Sequence, residues 1–129
     1  MNKVIVTGGA GFIGSNLVKR LLDDGIDEIL VIDDFSTGKK ENLHDSSKIH
    51  LIESKLEDID DLNIKFEGYD FCYHLAAGVG VQYIMDNLSE SLLTNIQGTH
   101  IVYEACKENR IPLLITSTSE IYGTSEEKS

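Results

Sequence analysis

Basic residues are scarce in this chain: 11 lysines and arginines stand against 22 aspartates and glutamates, a formal net charge of −11. Nucleic acids and anionic membrane surfaces are held by basic patches, so neither is an expected partner. The acidity reads as a solubilising surface, and any anionic ligand must be held by local devices such as backbone amides. Cysteine is sparse too. Cys72 and Cys106 both sit inside apolar patterns, which fits buried thiols in a reducing cytosol better than a disulfide. No Cys/His spacing resembles a metal site. The apolar runs are far too short to cross a bilayer. The N-terminus enters a β-branched run at once, without the basic n-region and apolar h-region of a secretory signal. A cytoplasmic protein is therefore expected, and 129 residues suffice for one compact domain at most.

What is present is a rhythm of short apolar runs and helical patterns. Lys3 to Thr7, Glu28 to Ile32, His50 to Glu53, Phe71 to Leu75 and Pro112 to Thr116 read as strands. Between them, Phe12 to Asp24 has apolar residues at helical spacing and stops at Gly25, and Leu56 to Ile64 reads as a short helix. Leu88 to Glu108 reads as a long amphipathic helix with Leu88, Leu92, Ile96, Thr99, Val102, Tyr103 and Cys106 on its stripe. Strands alternating with helices imply βαβ units and right-handed crossovers. The expected fold is a Rossmann-type α/β domain, a parallel sheet in the order 3-2-1-4-5 flanked by helices. No repeat, low-complexity tract or linker interrupts it. The fifth strand, PLLITST, is apolar enough for an interior strand yet would lie at an edge. The 129 residues thus read as one incomplete domain, cut after the fifth strand, or as a chain whose last strand pairs with another.

The stretch GGAGFIGS follows the first strand directly and opens the first helix. Its glycines fall as Gly8-x-x-Gly11-x-x-Gly14, and that strand–turn–helix context is what gives the pattern value. Gly8 permits a tight turn, Gly11 lets backbone approach a pyrophosphate, and Gly14 lets the helix pack closely on the strand. The helix N-terminus offers free N–H groups and the positive end of its dipole. Asp33 ends the second strand 19 positions after Gly14, close to the ~20 expected of a ribose-binding acid. A carboxylate there accepts from ribose hydroxyls and repels a 2′-phosphate, which points to NAD rather than NADP. The competing reading is a generic glycine turn beside a solvated Asp33-Asp34 pair.

TGGAGFIGSNL, IDDFSTGKKENL, YHLAA, TNIQGTHIVYEAC and ITSTSEIYG follow one another in this order. Together they resemble the N-terminal, NAD-binding part of the NAD-dependent sugar-nucleotide epimerase/dehydratase family of extended short-chain dehydrogenases. The resemblance implies transient oxidation of a nucleotide-diphosphate sugar by tightly held NAD, followed by epimerisation, dehydration or decarboxylation, in a homodimer when complete. It also implies that Phe12 and Ile13 present amides to the pyrophosphate, and that Asp33, Asp34, Phe35, Ser36, Thr37 and Gly38 form the adenosine-ribose segment. Leu75, Ala76 and Ala77 match the strand end lying against the cofactor, although small residues there also serve ordinary core packing. Asn95 matches a helix asparagine reaching the cofactor side; taken alone, such a residue is more often solvated. His74 reads as a structural side chain of its strand. Lys55 stands where the family pattern carries an aspartate near the adenine, and an ammonium cannot accept from an amino group.

By the same resemblance Thr118 is the hydroxyl that bonds the sugar oxygen being oxidised. Glu120 is the carboxylate able to take the proton beside the new ketone. The family's Tyr-x-x-x-Lys pair should follow by some two dozen residues, past the last residue of the sequence. Tyr103-Glu104-Ala105-Cys106-Lys107 matches the letters but precedes Thr118, and Tyr103 lies on an apolar helical stripe, so a core or interface role is expected for it. The 129 residues alone are accordingly expected to be inactive. The alternative is a non-catalytic module for NAD binding or dimerisation.

Overall fold

A computed structural model describes residues 2–76 and 88–116, with side chains described for 2–76 and 96–116. Its elements run β1 (Lys3–Thr7), α1 (Phe12–Asp23), β2 (Glu28–Asp33), β3 (Ile49–Glu53), α2 (Leu62–Lys65), β4 (Phe71–His74), α3 (Leu88–Asn109) and β5 (Leu113–Ile115). Short 3-10 turns at Lys40–Asn42 and Leu56–Asp58 punctuate the connections. The five strands form one sheet in the order β3-β2-β1-β4-β5, with every pairing parallel. That is the order expected from the sequence.

Strand pleating explains why the apolar runs are continuous. In β1, Val4 and Val6 face one side with Ile29 and Val31 of β2, against Val18 and Leu21 of α1. Ile5, Leu30 and Ile32 face the other side, against Leu56, Leu62, Phe66, Val102, Ala105 and Cys106. Successive side chains point to opposite faces, so a strand covered on both sides has no polar alternation. Burying one such side chain contributes about 1.5–3 kcal/mol, and both faces draw on β1 and β2. Cys72 and Cys106 are buried and unpaired by disulfide. A hydrogen bond to Cys106, reinforced by burial, pushes the Cys72 thiol up and keeps it protonated.

Three features differ from expectation. The segment read as one helix over 56–64 is a 3-10 turn followed by the four-residue α2. Asp61, at φ 55, takes a left-handed conformation that a short polar side chain tolerates, and it breaks the helix while Leu56 and Leu62 both stay buried. Helix α3 carries two apolar faces instead of one. Val102, Ala105 and Cys106 pack on the sheet, whereas Ile96, 65% exposed, and Tyr103 point outward with Leu114 and Ile115 of β5. Tyr103 therefore belongs to an open surface and not to the core. β5 spans only Leu113–Ile115, one residue shorter at each end than the Pro112 to Thr116 expected, and is last in the order of the described strands.

The amino-terminal rim of the sheet is tied by charge. Asp70 accepts from the amides of Asn2 and Lys3, each at 2.9 Å. Glu28 accepts from the Tyr69 hydroxyl and pairs with Lys3 at 3.6 Å. Catalytic features of a parallel sheet lie at the opposite rim.

Candidate functional site

At the carboxyl rim, β1 runs straight into the glycine turn. Gly8 has φ +76, and a Cβ there would stand 2.8 Å from the Ala76 nitrogen, so both the turn and the approach of the β4 end require glycine. A Cβ on Gly14 would lie 2.1 Å from the Gly8 carbonyl oxygen. No side chain could be accommodated between α1 and β1 there. Gly11 behaves differently. Its backbone, φ −78 and ψ 179, suits any residue, and among the described residues an added Cβ would meet only the Gly8 oxygen at 3.6 Å. Among the described residues there is no steric reason for glycine at this position.

Gly11 is also the N-cap of α1, and no side chain caps the helix. The first turn holds no acidic residue, although the chain as a whole is strongly acidic. Phe12 and Ile13 are 83% and 66% exposed. Their amides are among the helix-start donors without an intrahelical acceptor, and with the dipole they suit an anion.

The acid after β2 is built into this turn. Asp33, 9% exposed, accepts at Oδ2 from the Ala10 amide and at Oδ1 from the Phe35 amide, both at 2.8 Å. An ionised carboxylate has about four acceptor positions, so each oxygen retains one for a ligand hydroxyl. The solvated-pair reading thus fails for Asp33. It holds for Asp34, which is exposed and accepts from the Ser36 amide at 2.9 Å. Phe35 sits at φ 59, which turns the chain back toward the glycines. Ser36 and Thr37 are exposed, whereas Gly38 lies so close that a Cβ would be 2.7 Å from the Ala10 carbonyl carbon. The Ala10 oxygen accepts from the Lys39 amide at 3.2 Å and from Asn42 Nδ2 at 2.9 Å. Asn42 was not singled out in the sequence because its partner is a backbone carbonyl 32 residues away. Only its presence in the quoted IDDFSTGKKENL string hinted at a role.

The end of β4 closes the turn from the other side. The Leu75 amide donates to the Thr7 oxygen at 3.0 Å and to Thr7 Oγ1 at 3.1 Å, and the Ala76 amide donates to Oγ1 at 3.2 Å. Thr7 Oγ1 lies 2.7 Å from His74 Nδ1, and His74 Nε2 lies 3.1 Å from Thr99 Oγ1 on α3. Burial pulls the His74 pKa down to about 4, so the ring is neutral near pH 7. The glycine turn, the post-β2 segment and Leu75-Ala76 are therefore brought together. Ala77, the Asn95 side chain, Thr118 and Glu120 lie outside the described residues. Lys55 precedes the Leu56–Asp58 turn, in which Leu56 is the buried residue. Tyr103 lines a shallow apolar groove with Ile96, Thr99, His100 and Ile115. Among the described residues, no group of three or more His, Cys, Asp or Glu could hold a metal ion, and no helix is long and apolar enough to cross a membrane.

A parallel 3-2-1-4-5 sheet with a glycine turn opening α1 and an acid ending β2 defines the Rossmann class. Within that class, the chain belongs to the NAD dependent epimerase/dehydratase family, whose sequence profile matches residues 4–129. UDP-glucuronic acid decarboxylase 1 of Arabidopsis thaliana is 38% identical over 124 residues, covering 94% of this chain and 27% of that relative. The UDP-N-acetylglucosamine 4-epimerase of Methanobrevibacter ruminantium M1 superposes with a TM-score of 0.89 at 34% identity, over 97% of this chain and 40% of that one. DesIV, a dTDP-glucose 4,6-dehydratase of Streptomyces venezuelae solved with NAD bound, gives 0.88 at 30% identity over 98% and 42%. The chain spans between about a quarter and two fifths of the length of these relatives.

Proposed function

We propose that this chain binds NAD at the carboxyl rim of its sheet and forms the cofactor half of an enzyme acting on nucleotide-diphosphate sugars. The observation that carries this reading is Gly11: among the described residues nothing bars a side chain there, and beyond the N-cap preference a ligand passing over the turn gives glycine a purpose. The amides of Phe12 and Ile13 donate to the pyrophosphate. Asp33 uses its remaining acceptor positions on the adenosine ribose hydroxyls, with Asp34, Phe35, Ser36, Thr37 and Gly38 shaping that side. Leu75 and Ala76 form the opposite wall, and the family resemblance adds Ala77 and Asn95 to the residues that meet the cofactor. Bound NAD supplies a reversible hydride acceptor for a sugar carbon. Thr118 hydrogen-bonds the sugar oxygen, and Glu120 moves a proton at the carbon beside the ketone, taking it for dehydration or epimerisation there and supplying it after CO2 leaves in decarboxylation.

Calorimetric titration of the chain with NAD and NADP tests the cofactor reading: saturable NAD binding with weaker NADP supports it, and no binding of either overturns it. The string Tyr103 to Lys107 does not serve as the Tyr-x-x-x-Lys pair, so the 129 residues alone are expected to leave UDP-glucuronate unchanged. Turnover by this preparation would reassign the catalytic base. The complete enzyme works in the cytoplasm as a homodimer. A second reading, a non-catalytic dimerisation module, is favoured by the outward apolar surface of Ile96, Tyr103, Leu114 and Ile115. A clean monomer by light scattering would dismiss it.

A further inference from the structure

Thr7 Oγ1 has three hydrogen-bonding neighbours and a fixed capacity. A hydroxyl offers one hydrogen and two lone pairs. The amides of Leu75 and Ala76 can only donate, at 3.1 and 3.2 Å, and they take both lone pairs. The single hydrogen must then go to the remaining neighbour, His74 Nδ1, at 2.7 Å. Nδ1 is therefore bare, the proton sits on Nε2, and Nε2 donates to Thr99 Oγ1 at 3.1 Å. Thr7 is fully buried and His74 is 3% exposed, so water does not substitute for either partner. The Leu75 amide has a second acceptor in the Thr7 carbonyl, whereas the Ala76 amide depends on the hydroxyl. The Ala76 nitrogen is also the atom that a side chain at Gly8 would strike.

We infer that His74 is a positioning residue for the cofactor site: held as the Nε2–H tautomer between α3 and β1, it orients the Thr7 hydroxyl that fixes the Leu75 and Ala76 amides beside the glycine turn. The inference rests on the NAD reading for its consequence and on geometry alone for its cause. It couples α3 to the wall of the site through the Thr99–His74 hydrogen bond.

Two measurements on the 129-residue chain test it separately. The imidazole 15N signals of His74, read without ligand at neutral pH, should show a bare Nδ1 and a protonated Nε2; the reverse tautomer overturns the inference whether or not NAD binds. NAD titrations then compare three variants. His74→Asn keeps an acceptor at the Nδ1 position, His74→Gln keeps only a donor at the Nε2 position, and His74→Leu keeps neither. Asn should hold NAD within roughly threefold of the parent, while Gln and Leu lose about tenfold, with faster exchange of the Ala76 amide. A space-filling role gives the opposite order, because Asn leaves the largest void, and that order overturns the inference. If a His74 variant fails to fold, Thr7→Ser against Thr7→Val asks the same question, with affinity retained by Ser and lost by Val. Failure of the parent to bind NAD defeats the proposed function, while the tautomer and the exchange rates still decide the positioning.

Discussion

Replacing Gly11 by alanine separates a glycine kept for a ligand from one kept for the fold. At φ −78 and ψ 179 the backbone is unstrained for alanine, and among the described residues the new methyl meets only the Gly8 oxygen at 3.6 Å. Restricting the unfolded chain stabilises by about 0.4–1 kcal/mol. Replacing glycine by alanine at an N-cap costs a similar amount. The net change should fall within about 0.5 kcal/mol of zero, a melting shift of about 2 °C for a domain this size. Binding should respond very differently. A methyl in the path of the pyrophosphate forces an overpacking cost of about 1–3 kcal/mol, which weakens NAD by roughly five- to 150-fold. Gly14→Ala is the control, because its methyl would lie 2.1 Å from the Gly8 oxygen and 2.8 Å from the Gly9 Cα, both backbone. That variant should lose fold and binding together. Thermal melting and calorimetric NAD titration of the two variants decide the matter. Gly11→Ala binding NAD as tightly as the parent refutes the argument, and a large loss of its melting temperature would show that the fold needs this glycine.

Asp33→Asn keeps one acceptor and should strand one of the Ala10 and Phe35 amides, costing about 1–3 kcal/mol in urea unfolding while narrowing the preference for NAD over NADP; an unchanged urea midpoint counts against the clamp. Gly38→Ala pushes a methyl against the Ala10 carbonyl group at 2.7–2.8 Å and should lower both melting temperature and NAD affinity, unlike Gly11→Ala. Acid should weaken the fold in two stages. His74 has a folded pKa of about 4 against an ordinary 6.5, so the unfolded chain takes the proton first; its contribution is complete above pH 6.5 and is lost as pH falls toward 4, up to about 3 kcal/mol. Glu28, held below its ordinary value by the Tyr69 hydroxyl, and Asp70, held down by the Asn2 and Lys3 amides, extend the loss as pH falls further through their lowered values. Urea titrations from pH 7.5 to 4 should show the slope in the parent and a flattened one in His74→Asn; a flat parent curve would dismiss the buried neutral histidine.

The sheet order was legible because β1 and β2 announce themselves as uninterrupted β-branched runs and the intervening helices keep their period. The glycine turn was legible because its spacing is local. What escaped the sequence shares one property: the bonds join residues far apart and carry no spacing. Thr7 and His74 are 67 positions apart, and His74 and Thr99 are 25 apart. Thr7 looked like the last residue of a strand and Asn42 like one more polar residue in a loop. The apolar stripe of α3 misled in another way. Its period was right, but a period cannot tell a face turned to the sheet from one turned outward, and Tyr103 and Ile96 belong to the second.

Ala10 explains how a strongly acidic chain keeps an anion site beside a carboxylate. Its amide donates to Asp33, its carbonyl accepts from Lys39 and Asn42, and Gly38 packs directly on it. The Asp33 charge is thereby answered by the amide dipoles of Ala10 and Phe35 and fixed at the end of β2. The amides of Phe12 and Ile13 are spared that duty, because no acid lies in the first turn of α1. Donors near the turn thus divide into a set that holds the protein together and a set left for the ligand. The division makes a physical distinction among variants: changes at Asp33, Gly38 and Asn42 disturb stability and binding together, whereas changes over the open side of Gly11 disturb binding alone. A site whose donors all served the ligand would show no such split, since each of its residues would be free to change without cost to the fold.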